Sequence, residues 1–125
     1  MRISTLMEHP VQKIDEGSTV QKAAEIMGKK RIGALLVTKN DKVTGIVTER
    51  DIMSKIIAKK LDLEKINVKD IASKPLITVD KDTDAEKVIE LMVEKKVLRI
   101  IITDKEEIIG IFSTSDVTKL PAMRK

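Results

Sequence analysis

Gly45-Ile46-Val47-Thr48-Glu49-Arg50-Asp51 returns 65 residues later as Gly110-Ile111-Phe112-Ser113-Thr114-Ser115-Asp116. Both copies run from a glycine through two apolar residues to a hydroxyl side chain, with an aspartate three places beyond it. A hydroxyl followed at that distance by an acid resembles a capping box, so each stretch reads as a strand ending and a helix beginning. The same offset aligns the chain outward without gaps: Pro10 with Pro75, Asp15 with Asp80, Glu25 with Glu90, Met27 with Met92, Lys30 with Lys95, Thr38 with Thr103. Conservative pairs fill the intervals, among them Leu35-Leu36-Val37 against Ile100-Ile101-Ile102 and Thr48 against Ser113. A fixed offset held over this length marks an internal repeat.

The hydrophobic period changes in the same order in each copy. Ser18 is placed to cap a helix whose apolar face is Val20, Ala23, Ala24 and Met27; after Thr83 the equivalents are Ala85, Val88, Ile89 and Met92. Ala34 to Val37 and Ile100 to Ile102 are short apolar runs suited to strands buried on both faces. Polar turns at 39–42 and 104–107 lead to second runs, Val43 to Val47 and Ile108 to Phe112, which makes strand, turn, strand a hairpin. Ile52, Met53, Ile56 and Ile57 give the last helix of the first copy its apolar face, and Met7, Met27, Met53 and Met92 are expected in the core. Each copy therefore reads strand, helix, strand, strand, helix, preceded by a short helical turn near Ser4 to Met7 or Lys69 to Ala72. The expected repeats are residues 1–60 and 66–125. The fold class is α/β (α+β), two βαββα units packed sheet to sheet about a pseudo-twofold axis, because neither half can cover its own sheet.

Composition bounds the chemistry. Leu, Ile, Val and Phe make up 39 of 125 residues, enough for a folded domain rather than a disordered chain. With no Cys and one His, His9, neither a disulfide framework nor a thiolate or multi-histidine metal site can form. Catalysis lacks a nucleophile–base pair, a metal cluster and a Gly-rich phosphate loop, so no enzymatic activity is expected. No long apolar run occurs, and Met1 to Pro10 lacks the core of a signal peptide; a cytoplasmic protein without membrane contact is expected. The net charge is +4 and the pI about 9.3. The signs are interspersed, however, and the single aromatic residue, Phe112, gives unpaired bases nothing to stack on, which argues against nucleic acid as the primary ligand. Abundant Ile, Lys and Glu fit a thermophilic source.

The element order, the tandem arrangement and the two Gly-to-Asp motifs resemble a tandem pair of cystathionine-β-synthase (CBS) domains, a Bateman module, over about residues 1 to 120. That resemblance implies a regulatory module whose inter-repeat clefts bind adenosine-containing ligands: AMP, ADP, ATP or S-adenosylmethionine. It also implies pairing into a homodimer and an unknown protein target.

On that footing Thr48 stands at a strand end near backbone N–H groups where a phosphate could sit, and Asp51, one turn on, would accept from a ribose diol. Ser113 and Asp116 repeat the pair. The cations differ between copies: Arg50 follows Glu49 in the first motif where the second has Ser115. Arg99 occupies a strand position at which the family often has a phosphate-facing arginine, and the first copy has Ala34 there. His9-Pro10-Val11 and Lys74-Pro75-Leu76 are the carried-over candidates for adenine. Against these stand plainer roles: Thr48/Asp51 and Ser113/Asp116 as helix caps, Gly45 and Gly110 as backbone requirements of a strand, and Lys29-Lys30-Arg31 as a solvated helix end. Two other functions remain open, a nucleic-acid-binding module and a structural dimerisation module with empty clefts.

Overall fold

A parallel strand, a crossover helix and a hairpin build each repeat. The structure, a computed structural model of the chain, describes residues 1–7, 11–74 and 76–114. In the first repeat β1 (Lys13–Asp15), α1 (Val20–Lys30), β2 (Ala34–Lys39) and β3 (Lys42–Thr48) are followed by α2 (Glu49–Ile52), which runs into a π-helical turn, Met53–Ile57. The second supplies β4 (Thr78–Asp80), α3 (Ala85–Lys95), β5 (Arg99–Asp104) and β6 (Glu107–Ser113). The helix expected after β6 falls outside the described residues. Each sheet has three strands, β1-β2-β3 and β4-β5-β6, with the outer pair around the helix parallel and the hairpin antiparallel. Registers match through the 65-residue offset, down to a bulge between Val37 and Thr38 and another between Ile102 and Thr103.

Local chemistry explains most of these boundaries, with some departures from expectation. Ser18 does not cap α1; Thr19 does, its Oγ1 accepting from the Lys22 N–H at 3.1 Å. Ser18 is occupied otherwise, its N–H donating to the Asp15 carbonyl and its own carbonyl accepting from Val68. The N-cap of α3 is likewise Asp84 rather than Thr83. Both helices close with a left-handed residue, Arg31 and Lys96 at φ 56°, and the next N–H reaches back five residues to Met27 or Met92. That is a Schellman closure made without glycine. The hairpin strands run further than the apolar runs and meet in two-residue turns, Asn40-Asp41 and Lys105-Glu106, all four residues at positive φ. Type I′ geometry of this kind is what a two-residue hairpin needs, and Asn-Asp tolerates it far better than Lys-Glu.

Two apolar cores form, and the segments that complete them are exchanged between repeats. One compact unit comprises Gln12–Leu76, the other Met1–Val11 together with Ile77–Lys125. In the first, Val20, Ala23 and Met27 of α1 pack with Leu35, Val37 and Val47 of the sheet, and Val68 and Ile71 close the cluster. In the second, Ala85, Val88 and Met92 pack with Ile100, Ile102 and Phe112, and Ile3 and Leu6 close it. Ile3 and Val68 are offset equivalents, as are Leu6 and Ile71, so the short 3-10 turn before each repeat completes the core of the other. Hydrogen bonds follow the same exchange. Ala85 N–H donates to Met1 and Ile3 N–H to Thr83 in one unit; Val20 N–H donates to Ile66 and Val68 N–H to Ser18 in the other. Each exchanged segment thereby accepts from a first-turn N–H that its helix cannot satisfy internally. Core volume is also traded across the offset: Val47 becomes Phe112 where Val20 becomes Ala85. Leu36 and Ile101 alternate to the opposite face of their sheets and are buried as well.

The last helical segment of the first repeat departs most from expectation. Ile52 and Ile56 are buried in the core, but Met53 is 64% exposed and Ile57 53%, so Met53 is not a core residue. Met27 and Met92 are buried as expected, and Met7 packs at the edge of its cluster. The Ile52/Ile56 stripe packs into the core with α1 and the sheet, while Met53 and Ile57, one residue later, lie more than half exposed.

Candidate functional site

β3 delivers Thr48 to the start of α2, and there Thr48 and Asp51 close a complete capping box. Asp51 Oδ2 accepts from the Thr48 N–H at 2.9 Å and from its hydroxyl at 3.0 Å, while the Asp51 N–H donates to Thr48 Oγ1 at 3.2 Å. The other carboxylate oxygen, Oδ1, lies 3.0 Å from Lys55 Nζ, and the same ammonium donates to the Ile71 carbonyl at 2.8 Å. Asp51 is only 8% exposed, yet its charge is matched by hydrogen bonds and a counter-ion, as a buried carboxylate requires. Sequence reasoning missed Lys55. Its only signal was an acid followed four residues on by a lysine, the favourable helical order, which is too common to single out a site.

The segment leading into the second repeat lies along this junction. Ser73 bridges to Ile46 of β3, donating its N–H at 2.8 Å and accepting the Ile46 N–H at 3.2 Å. Gly45 makes this approach possible, since a Cβ there would sit 3.0 Å from the Ser73 carbonyl oxygen and 3.3 Å from Lys74 Cγ. Gly45 is thus a backbone requirement of β3. Thr48, Asp51, Lys55 and the stretch from Ile71 to Lys74 are gathered in one unit, with Leu76 at its end half-buried and Lys74 exposed. Arg50 is exposed, its carbonyl accepting from the Ser54 hydroxyl.

One element of the expected phosphate chemistry is not available as supposed. The N–H groups of Thr48 and Asp51 are used within the capping box, and that of Glu49 donates to Gly33 at 3.0 Å. A phosphate near Thr48 would therefore meet its hydroxyl and nearby cations rather than a row of unused amides.

In the other unit, Arg99 and Ser113 are register partners across β5 and β6, the positions that Ala34 and Thr48 hold in the first repeat. Opposed residues on antiparallel strands share a face, so the arginine and the hydroxyl are neighbours, a pairing that the separate sequence motifs did not reveal. Ser113 is buried, Arg99 half-buried, and both side-chain environments are occupied. Val11 is half-buried. Ser115, Asp116, His9, Pro10 and Pro75 lie outside the described residues. A concavity of about 390 Å³ opens beside Ile89, Met92, Val93, Val97, Leu98 and Thr114. Its walls are almost wholly apolar, which suits a hydrophobic side chain better than a nucleotide phosphate. No helix among the described residues is long and apolar enough to cross a membrane.

Comparison with known proteins places these observations in a family. The profile of the CBS domain matches twice, at residues 3–58 and 68–122. An uncharacterized protein of Methanopyrus kandleri, MK0525, is 32% identical over 125 residues, which cover 96% of the chain but 64% of that protein. The chain thus spans less than two thirds of the length of that curated relative. Among solved structures, a putative signal-transduction protein with CBS domains from Burkholderia ambifaria aligns with a TM-score of 0.89 at 25% identity, covering 100% of this chain and 97% of the other. The CBS domain protein PAE2072 from Pyrobaculum aerophilum, solved in complex with AMP, aligns with a TM-score of 0.86 at 26% identity, covering 99% and 95%. Two profile matches that together take in most of the chain, on two sheets of matching topology and register, establish that this chain belongs to the CBS-domain family and carries the domain in tandem.

Proposed function

We propose that the chain is a non-enzymatic regulatory module that binds an adenosine-containing ligand and passes the resulting conformational change to a partner protein. Asp51 carries the reading. A carboxylate offers about four acceptor positions, of which Thr48 and Lys55 take three. The Thr48 hydroxyl can turn its proton toward a ligand phosphate while still accepting from the Asp51 N–H. That rotation returns one acceptor position on Oδ2 and leaves one on Oδ1, a spacing matched to the two vicinal hydroxyls of a ribose. Arg50 is the exposed cation next in sequence. In the second repeat, Arg99 beside Ser113 supplies the cation from a strand, with Ser115 and Asp116 following in the motif. Lys74-Pro75-Leu76 and His9-Pro10-Val11 are proposed for adenine; the pairing of Ser73 with Ile46 supports the first of these by holding Lys74 against β3. AMP bound to the Pyrobaculum relative supports the ligand class.

Isothermal calorimetry of dialysed protein against AMP, ADP, ATP and S-adenosylmethionine tests the reading. Micromolar binding of at least one is expected; absence of heat with all four, together with no melting shift at millimolar ligand, sinks it.

A second reading is favoured by two observations. The capping box satisfies Thr48 and Asp51 without any ligand, and Met53 and Ile57, one helical turn apart, are exposed apolar side chains, with Leu61 exposed just past the helix end. On that reading the chain is a structural module that joins a second copy through this stripe. Dimerisation with silent calorimetry would favour it, and the two readings are compatible if binding is seen as well.

A further inference from the structure

We propose that Lys55 selects the charge class of the ligand, favouring a phosphorylated adenosine over one bearing a sulfonium; the inference rests on the ligand site proposed above. Asp51 alone would be a poor neighbour for a phosphate, since a buried carboxylate repels an anion and attracts a cation. Lys55 removes that bias. Its ammonium stands 3.0 Å from Asp51 Oδ1 and is held from a second side by the Ile71 carbonyl at 2.8 Å. Two acceptors on different elements, one of them the backbone of a residue 5% exposed, fix the head group in place rather than leaving it to sweep through solvent. The pair is neutral as a unit. An ammonium carries three donors and two are engaged, so one remains, on a side chain that is 42% exposed and open to ligand.

An incoming phosphate therefore meets no net negative charge and one cationic donor. An incoming sulfonium meets an ammonium beside the carboxylate that would otherwise have attracted it. A neutral nucleoside is indifferent to the exchange, because its hydroxyls need only acceptor positions on Asp51. Lys55 stands in the first repeat; the position 65 residues on is Leu120, and on the described strands of the second repeat the basic residue facing its hydroxyl is Arg99 on β5.

Calorimetric titration of wild type, Lys55→Gln and Lys55→Arg with AMP, adenosine and S-adenosylmethionine decides the matter. Lys55→Gln is expected to weaken AMP about 3- to 10-fold, to leave adenosine within about twofold and to tighten S-adenosylmethionine about threefold, the size appropriate to a half-exposed charge. Lys55→Arg should keep the wild-type order. In wild type the ratio of AMP to adenosine affinity should fall on raising salt, a measurement that needs no variant to fold. An equal change for AMP and adenosine in Lys55→Gln, or a wild-type ratio indifferent to salt, overturns the role of Lys55 while leaving the ligand site standing. Failure of wild type to bind any of these three, or ADP or ATP, overturns both.

Discussion

Replacing Asp51 by alanine separates what the capping box does for the fold from what it does for a ligand. The substitution removes the two hydrogen bonds accepted by the carboxylate, at 2.9 and 3.0 Å in a box only 8% exposed at Asp51, and one ion pair. The third bond of the box, from the backbone N–H of residue 51 to Thr48 Oγ1 at 3.2 Å, survives because alanine keeps that N–H. Loss of the acidic half of the box costs about 1 kcal/mol, and stranding the half-buried Thr48 N–H adds up to about another. The ion pair adds little, since Lys55 is 42% exposed and water replaces its partner. The sum is roughly 2 kcal/mol. For a chain of 125 residues the unfolding entropy is about 0.26 kcal/mol per kelvin, so the midpoint should fall by about 8 °C. Thermal and urea melts followed by circular dichroism measure this. A midpoint within about 2 °C of wild type would refute the closed box. Because the same variant is expected to lose ligand, binding has to be measured calorimetrically well below its midpoint. A melting assay would mix the two effects.

Gly45→Ala should destabilise by roughly 1–3 kcal/mol, because its Cβ would press on the Ser73 carbonyl at 3.0 Å; Gly28→Ala, in α1 with nothing within 4 Å, should instead stabilise by about 0.5–1 kcal/mol, and urea midpoints of the pair should move in opposite directions. Exchanging Lys105-Glu106 for Asn-Gly should raise stability by about 1–2 kcal/mol, since both positions have positive φ, whereas Asn40→Lys in the equivalent turn should lower it; equal melting temperatures would contradict the turn type. Met53→Lys with Ile57→Glu should leave the melting curve near wild type, as both side chains are more than half exposed, yet abolish self-association in sedimentation velocity if the stripe joins two copies. An unchanged association state would move the interface elsewhere.

The order of elements was legible because it rests on local spacing. Apolar residues three and four apart built α1 and α3, and alternation with polar turns built the hairpins, since helix and strand each impose a short period on the side chains that must be buried. Thr48 and Asp51 were legible as a box for the same reason, their contact spanning one helical turn. Duplication made a weak motif decisive and brought the family into view.

What the tertiary structure alone decided lies in contacts that carry no local signature. Nothing in Ile3 or Val68 says which repeat each completes, because a short apolar turn fits either core, and only chain geometry selects the exchange. The apolar run Ile52, Met53, Ile56, Ile57 offers two adjacent stripes of equal character. The position of α1 determines that the first is buried and the second exposed. Lys55 looked like any helical lysine until the Ile71 carbonyl, sixteen residues away, arrived to hold it against Asp51. A sequence records what each residue is able to bury or pair with; which partner it meets depends on segments brought together by the whole fold.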